Sequence, residues 1–440
     1  MILAPVLDSL VHAVQEIRTL HRIGRVTAVS HGMLRVQGLE RSAGLGDRVT
    51  VRGARTAAPG EIVGLGAGVT SVLLEGGAEG LAIGDAVELG GQTVIAPDDR
   101  WIGRIVDSLG RPLDGRPLVR GPVARQLRSG PPAATERRRL GPRLQTGTAI
   151  FDTMLPLVRG QRIGLFAGSG VGKSTLLGQF ARGVAADVVV VALLGERGRE
   201  LREFTERVLG PAGMARSVVV AATSDESPLA RRRSAWTAMT VAEHFRDRGA
   251  QVLLLMDSVT RFAEAHREIA LAAGEQASLR GFPPSLSHAV MSLAERAGPG
   301  PEGKGDITAV FSVLVAGSDM EEPVADIVRG VMDGHVVMDR RIAERGRFPA
   351  IDLLRSVSRS LPHAASEEEN ALIGRARRLL GAWDRAEIMI QAGLYAKGSD
   401  PVVDEAIRVF PQLDAFLSEP APADGIEGSF RRLEECLGTG

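Results

Sequence analysis

The sequence predicts an α/β core built on a mainly parallel sheet, with a small antiparallel β-barrel before it and a helical domain after it. Three observations carry that prediction. Short β-rich runs separated by glycine recur at intervals of about ten residues over 22–96. Apolar strand-like runs then alternate with helical patterns over 97–360, the signature of a sheet flanked by helices. From 361 to 440 the pattern is helical. A chain of 440 residues has room for about three domains, which matches this division.

Residues 1–21 precede the barrel. Within them Leu7, Leu10, Val14 and Ile17 fall on one stripe of a helix over 6–20, with Asp8, His12, Gln15 and Arg18 elsewhere. Such a helix either packs on its own domain or docks in a partner's groove. The barrel runs are Arg25–Val29, Leu34–Val36, Arg48–Val51, Glu61–Leu65, Val72–Leu74, Ala86–Leu89 and Thr93–Ala96. In the core, strands are expected at Ile163–Ala167, Val188–Leu194, Val218–Ala222, Val252–Met256 and Ile307–Val315. The Arg- and Pro-rich stretch from Arg125 to Arg143 reads as a solvated connection, because no aromatic is interleaved with its charges. In the helical end, Ser366 with Glu369 forms a capping box, and Asp400-Pro401 is a cap followed by proline at the first helical position.

Composition excludes several classes. Forty-four per cent apolar residues is ample for a buried core. Lys plus Arg and Asp plus Glu both total 53, so no overall field draws the chain to nucleic acid or a membrane. The first 100 residues hold no Phe, Tyr or Trp, which leaves the barrel without the aromatic platform that stacks bases. The single cysteine, Cys436, rules out an internal disulfide framework and fits a reducing compartment. No basic, apolar leader opens the sequence, and the longest apolar run, Val188–Leu194, is too short to span a bilayer. A cytoplasmic protein is expected.

The chemistry sits in the core. Gly168, Ser169, Gly170, Val171, Gly172, Lys173, Ser174 and Thr175 follow an apolar strand and open a helix. Glycines let backbone N–H groups approach phosphates, the helix start adds its positive end, and Lys173 adds a point charge. Ser174 is placed to put its hydroxyl on magnesium. The strict motif has glycine where this chain has Ala167, a position that ends the strand and tolerates alanine. The pattern predicts a P-loop ATPase core of the RecA-like kind, taking ATP and Mg2+. Asp257 closes the run Val252–Met256, at the carboxyl end of a buried strand, where open sheets bind ligands. Its expected role is to hold the water shell of the magnesium. Glu196 lies just past Val188–Leu194 in Gly195-Glu196-Arg197-Gly198, within reach of the γ-phosphate or merely in a charged surface loop.

These runs are joined by others. Thr146-Gly147 through Phe151-Asp152 and Gly160 to Ala167 lead into the loop, Gly195 to Glu200 and Leu255 to Arg261 follow it, and Asp333-Gly334-His335, Phe348 to Asp352, Gly398 to Pro401 and Phe416-Leu417 come later. Together they closely resemble the type III protein-export ATPases, relatives of the rotary ATP synthase β subunit, over about residues 22–417. The flagellar members are the most similar. The resemblance implies that Lys173 and Ser174 contact phosphate and magnesium, that Glu196 is the catalytic carboxylate with Arg197 beside it, and that Asp257 is the magnesium-side acid. It also implies that Arg359, in Ser356-Val357-Ser358-Arg359, is an arginine finger supplied to the neighbouring subunit.

A chain carrying both the hydrolytic set and the finger implies a homohexamer closed by head-to-tail contacts. The implied partners are a stator-like regulatory protein at the N-terminal helix, a central-stalk coiled coil, export chaperones and substrates, and a membrane export gate that would hold the protein at the inner membrane's cytoplasmic face. The function implied is the ATP-driven motor of flagellar protein export, with virulence type III secretion and a rotary synthase catalytic subunit as alternatives. The C-terminal helices lack the acidic run a synthase subunit carries. An RNA-translocating hexamer is disfavoured by the aromatic-free barrel, and an inactive structural subunit by Glu196. One departure stands out. Relatives have Gly-Glu-Pro-Pro before a pore-facing Gly-aromatic-Pro-Pro loop, whereas this chain has Gly274-Glu275-Gln276-Ala277 before Gly281-Phe282-Pro283-Pro284, so a looser first turn is expected. The residues that stack adenine are not assigned by sequence, because Tyr395 is the only tyrosine and Phe410 and Phe416 are as core-like as they are ligand-like.

Overall fold

A computed structural model describes residues 20–30, 32–315 and 320–438. The amphipathic stripe at Leu7, Leu10, Val14 and Ile17 lies outside them.

Six strands, β1 (Ile23–Ser30), β2 (Met33–Gln37), β3 (Arg48–Arg52), β4 (Ala57–Gly66), β5 (Val69–Leu74) and β6 (Ala86–Gly91), form a closed antiparallel barrel in the order β1-β2-β5-β4-β3-β6. Alternate residues point inward, so Val26, Leu34, Val36, Val49, Val51, Ile62, Val72 and Val87 fill the interior. Closure pairs β6 with β1 and leaves no exposed edge. Two expectations change here. Strand β4 begins at Ala57 rather than Glu61, with Pro59 paired opposite Thr50, although Pro59-Gly60 looks like a turn in sequence. The last expected run lies outside the barrel: Val94–Ile95 pairs with Arg125–Gln126 in a separate ribbon.

The core is a nine-stranded sheet. Its main path is formed by β7 (Arg104–Val106), β8 (Arg162–Ala167), β9 (Val188–Glu196), β10 (Ser217–Thr223), β11 (Gln251–Asp257), β12 (Asp306–Leu314), β13 (Gly334–Met338) and β14 (Ile351–Ser358), in the order β14-β13-β8-β12-β11-β9-β10-β7. Along this path only β14 runs antiparallel to its neighbour. The five strands expected from sequence are the five central ones. They read as continuous apolar runs because helices cover both faces.

One face carries α1 (Lys173–Gly183), with Leu176, Leu177 and Phe180 buried against the sheet. The other carries α2 (Pro228–Asp247), α3 (Val259–Ala272), α4 (Ser285–Ala294) and α5 (Pro323–Val331), through Met239, Phe245, Phe262, Val290 and Val324. The C-terminal helices α6 (Glu367–Gln391), α7 (Pro401–Phe416) and α8 (Gly425–Leu437) join the same hydrophobic cluster as α1. Both expected caps are present. The Ser366 hydroxyl accepts from Glu369 N while the Glu369 carboxylate accepts from Ser366 N, and Asp400 accepts from Val402 N at 2.8 Å. Among the described residues, no helix is long and apolar enough to cross a membrane.

The stretch 125–143 is exposed over most of residues 126–142, as expected of a solvated connection, yet it is fastened at intervals. Its arginines pair with acids on three parts of the molecule: Arg128 with Glu61 of the barrel, Arg125 with Asp247, Arg137 with Glu295 and Arg138 with Asp306 of the core, and Arg143 with Glu369 of α6. The same charges fasten the exposed segment down as a strap. At its barrel end Glu61, 3% exposed, also accepts from Arg232 and Arg233 of α2.

Candidate active site

The parallel strands bring their carboxyl ends to one edge of the sheet, and the expected residues other than Arg359 lie along it. The phosphate loop follows Ala167, the buried last residue of β8. Gly170 (φ 77°) and Gly172 (φ 88°) adopt the left-handed conformation that disfavours a Cβ. Gly168 does not, so its role is limited to close approach. Gly172 caps α1, whose first residue is Lys173, and Ser174 and Thr175 are exposed in its first turn. Ser169 is exposed, whereas Val171 is buried and anchors the loop.

Asp257 ends β11 and is 3% exposed. Its Oδ1 accepts from the Lys173 ammonium and from the Ser312 hydroxyl at 2.7 Å. A buried carboxylate needs such partners, and Lys173 neutralises it from across the loop. Glu196 is the last residue of β9, next to β11 in the sheet. Burial pushes its carboxyl up to about 7, helped by a hydrogen bond with Glu200 and the charge of Asp257, and opposed by Lys173. Glu200 is held below the usual range by that same hydrogen bond. The two acids therefore behave as a pair, with the proton favouring the more buried member. Arg197 is exposed and lies 3.4 Å from Glu200; among the described residues it makes no hydrogen bond or ion pair with the phosphate loop.

Arg359 lies at the opposite edge. It follows β14, its N–H donates to Asp333 O, and Asp333 N–H donates to Arg162 O. It is therefore level with the first residue of β8, whereas the phosphate loop follows the last. Five residues of strand separate the two levels, about 17 Å. The side chain is exposed, so it is accessible to another molecule and remote from its own chain's loop.

Three further groups belong to this edge and were not singled out by sequence. Ser312 is hidden in an apolar strand and offers no signal. Arg261 packs its Cβ and Cγ beside Gly195, and its guanidinium feels the charges of Glu196 and Glu200. Phe348, 49% exposed, reaches within 3.3 Å of where a Gly172 side chain would begin. Both stand in runs that carried the family resemblance, so the signal was present without a role attached. The aromatics considered for adenine are otherwise engaged: Phe416 is buried, Phe410 stacks on Trp383 at 4.0 Å, and the Tyr395 hydroxyl bonds Asp400 O and Asp404.

In the loop after α3, where the two prolines are absent, the Glu275 carboxylate accepts from both Ser285 N and the Ser285 hydroxyl.

The donor set is suited to a hard cation held jointly with phosphate. Among the described residues no three His, Cys, Asp or Glu side chains are grouped to hold a metal alone. One serine hydroxyl and one buried carboxylate flank the phosphate loop, the sparse oxygen set that magnesium uses when a nucleotide supplies the rest.

Comparison with known proteins agrees with this geometry. Residues 147–358 match the ATP synthase alpha/beta family, nucleotide-binding domain, and residues 365–433 match the T3SS EscN ATPase C-terminal domain. The flagellum-specific ATP synthase of Caulobacter vibrioides is 44% identical over 98% of this chain and 99% of its own. The type 3 secretion system ATPase of Xanthomonas euvesicatoria is 42% identical over 92% of each chain. The assembled ATPase EscN of the enteropathogenic E. coli type III secretion system superposes with a TM-score of 0.88 at 34% identity, covering 94% of this chain and 100% of that one. The phosphate loop and the full-length likeness thus converge: the chain belongs to the flagellum-specific and type III secretion ATPases of the ATP synthase alpha/beta family, and it is an ATP-hydrolysing enzyme.

Proposed function

We propose that this enzyme is the ATP-hydrolysing motor of a flagellar protein export apparatus. The observation that carries the reading is the identity with a flagellum-specific ATP synthase along nearly the whole length of both chains. In the proposed site, backbone N–H groups of 168–172 and Lys173 hold the phosphates, and Ser174 and Asp257 hold Mg2+ and its waters. Bound magnesium would neutralise phosphate charge. Lys173, paired with Asp257 in this structure, would turn to the phosphates when they arrive. Glu196 positions and polarises the attacking water, Arg261 adds positive charge beside it, and Arg197 approaches only when the loop closes on nucleotide. Phe348 offers an exposed ring for the base.

Arg359 is proposed as the finger of the neighbouring subunit in a homohexamer. Its place at the far edge of the sheet supports delivery in trans. The likeness to an assembled EscN, and to EscN in complex with its central stalk EscO, supports a ring with a stalk partner. A stator-like protein at residues 1–21, export chaperones and substrates, and a gate at the inner membrane's cytoplasmic face complete the proposed setting. The proposed domains are 1–21, a barrel at 22–96, the ATPase core at 97–360 and a helical domain at 361–440.

The test has two parts. Glu196→Gln should leave nucleotide affinity within about twofold and lower kcat by about a hundredfold or more. Near-normal turnover would remove Glu196 from the mechanism. In a Caulobacter vibrioides strain lacking its flagellum-specific ATPase, the intact chain should restore secretion of flagellar subunits and Lys173→Ala should not. Failure there, with restoration in a type III effector-secretion strain, would move the protein to the virulence branch.

A further inference from the structure

Helix α3 begins at the nucleotide edge of the sheet and ends at the loop 274–284. Its near end is bound to the site. Ser258, beside Asp257, caps the helix, the Thr260 hydroxyl accepts from Leu314 N at 2.9 Å on β12, and Arg261 flanks Gly195. Phe262, Ala263, Ala265 and Ile269 bury its middle. Fourteen residues of helix span about 21 Å.

The far end is fastened by side chains. Ser285 N donates to Glu275 Oε1 at 2.9 Å, and Ser285 Oγ donates to Glu275 Oε2 at 2.7 Å. Ser285 Oγ, its proton given to Glu275, accepts from His266 Nε2 at 2.8 Å on α3. That arrangement requires a proton on Nε2. Burial favours neutrality by holding His266 at about 4. One serine hydroxyl thus joins the lever helix to the carboxylate that closes the loop. The tip is a compact unit. Ser278 N and Oγ both donate to Phe282 O, Arg267 of α3 lies over the Phe282 ring at 5.0 Å, and Arg280 has a φ of 63°. Arg280 is the one non-glycine with positive φ among the described residues, and its guanidinium donates to Glu321 O. A left-handed arginine persists where its surroundings impose it.

We propose that α3 is a rigid lever between the nucleotide site and the loop 274–284, and that the Glu275–Ser285–His266 hydrogen bonds are the fastening that makes the loop tip follow nucleotide occupancy. The proposal rests on the phosphate-site reading above. When Lys173 leaves Asp257 for a phosphate, the constraint on the strand end that leads into α3 changes. A helix fixed at both ends carries that change to the tip. Glu275 and Ser285 are positioning residues in this scheme, remote from the reacting atoms.

Cysteine chemistry provides the test. Cys436 is the sole cysteine and is buried, so Ala277→Cys, at an exposed position on the loop, can carry a single environment-sensitive fluorophore. The labelled full chain is titrated with a non-hydrolysable ATP analogue and magnesium, and affinity is measured separately with a fluorescent nucleotide. Expected is a change in emission whose midpoint equals the separately measured Kd. Adding Ser285→Ala or Glu275→Gln should cut its amplitude at least threefold while leaving Kd within twofold and Tm within a few degrees. An unchanged amplitude in both variants, or a loop silent to nucleotide that demonstrably binds, overturns the inference. Should Glu275→Gln fold poorly, Ser285→Ala alone decides. Absence of nucleotide binding in the parent would instead count against the phosphate-site reading.

Discussion

The protonation of Glu196 makes the sharpest demand on the proposed chemistry. A carboxylate that polarises water must be charged, yet burial, the hydrogen bond with Glu200 and the nearby Asp257 push this group up to about 7 from the usual 4.5. An acid with a raised pKa is neutral below that value, so kcat/KM, which reports the free enzyme, should rise with pH through about 7. At pH 6 roughly a tenth of the molecules would be in the active form, whereas an ordinary glutamate would leave nearly all of them active. Glu200→Gln removes the neighbouring negative charge and can donate to Glu196, so the acidic limb should shift to lower pH by about one unit, about 1.4 kcal/mol. The assay is initial ATP hydrolysis at substrate well below KM, with magnesium in excess and ionic strength constant. A limb centred below about pH 5.5, or one unmoved by Glu200→Gln, would refute the argument. Stability carries the opposite sign. The folded chain retains a proton that the unfolded chain releases, so this contribution is fully present below pH 4.5 and lost as pH rises through about 7.

Two further outcomes are expected. Arg359→Ala, at an exposed position, should fold normally and lose about a thousandfold in kcat; mixing it with Lys173→Ala should restore part of the activity, because some interfaces then pair an intact pocket with an intact finger. A mixture no more active than its components would count against a finger in trans. Glu61→Ala leaves Arg232 and Arg233 buried without their shared carboxylate, a loss of about 3–5 kcal/mol by urea unfolding. Trp236, with Arg128 and Arg232 4.5 and 5.0 Å from its ring, supplies the fluorescence signal at that junction, and a loss under about 1 kcal/mol would mean that desolvation cancels the ion pairs.

What could be read in the sequence follows from how each element is buried. Central strands such as Val188–Glu196 are covered on both faces and appear as unbroken apolar runs. The edge strand Ile351–Ser358 alternates buried and exposed positions and contains Arg355, so no run marks it. The phosphate loop is local in sequence, because backbone conformation and helix capping are short-range demands. Glu196, read as lying just past its strand, took its role only from the family resemblance, whereas Asp257 was legible as a strand-terminal acid once the strands were found. Ser312 was not, since a lone hydroxyl in an apolar strand acquires meaning only from the strand beside it. The fastening of the strap at 125–143 was hidden for the converse reason: its arginines show no partner until their acids, more than a hundred residues away for Arg125 and Asp247, are brought to them.

The two edges of the sheet divide the proposed chemistry. Parallel strands place the phosphate loop, Asp257 and Glu196 at their carboxyl ends, as the dipoles of loop and helix require. Strand β14 is antiparallel, so the chain that follows it emerges at the amino ends and takes Arg359 there. No side-chain rotation closes a separation of about 17 Å along the strands. A chain with this topology can offer a finger and can accept one, but it cannot do both for the same phosphate. In the proposed mechanism identical subunits therefore meet front to back, and a front-to-back contact leaves no unpaired interface only when it closes into a ring. On this reading the reversal of one edge strand is what makes hydrolysis a property of the assembly.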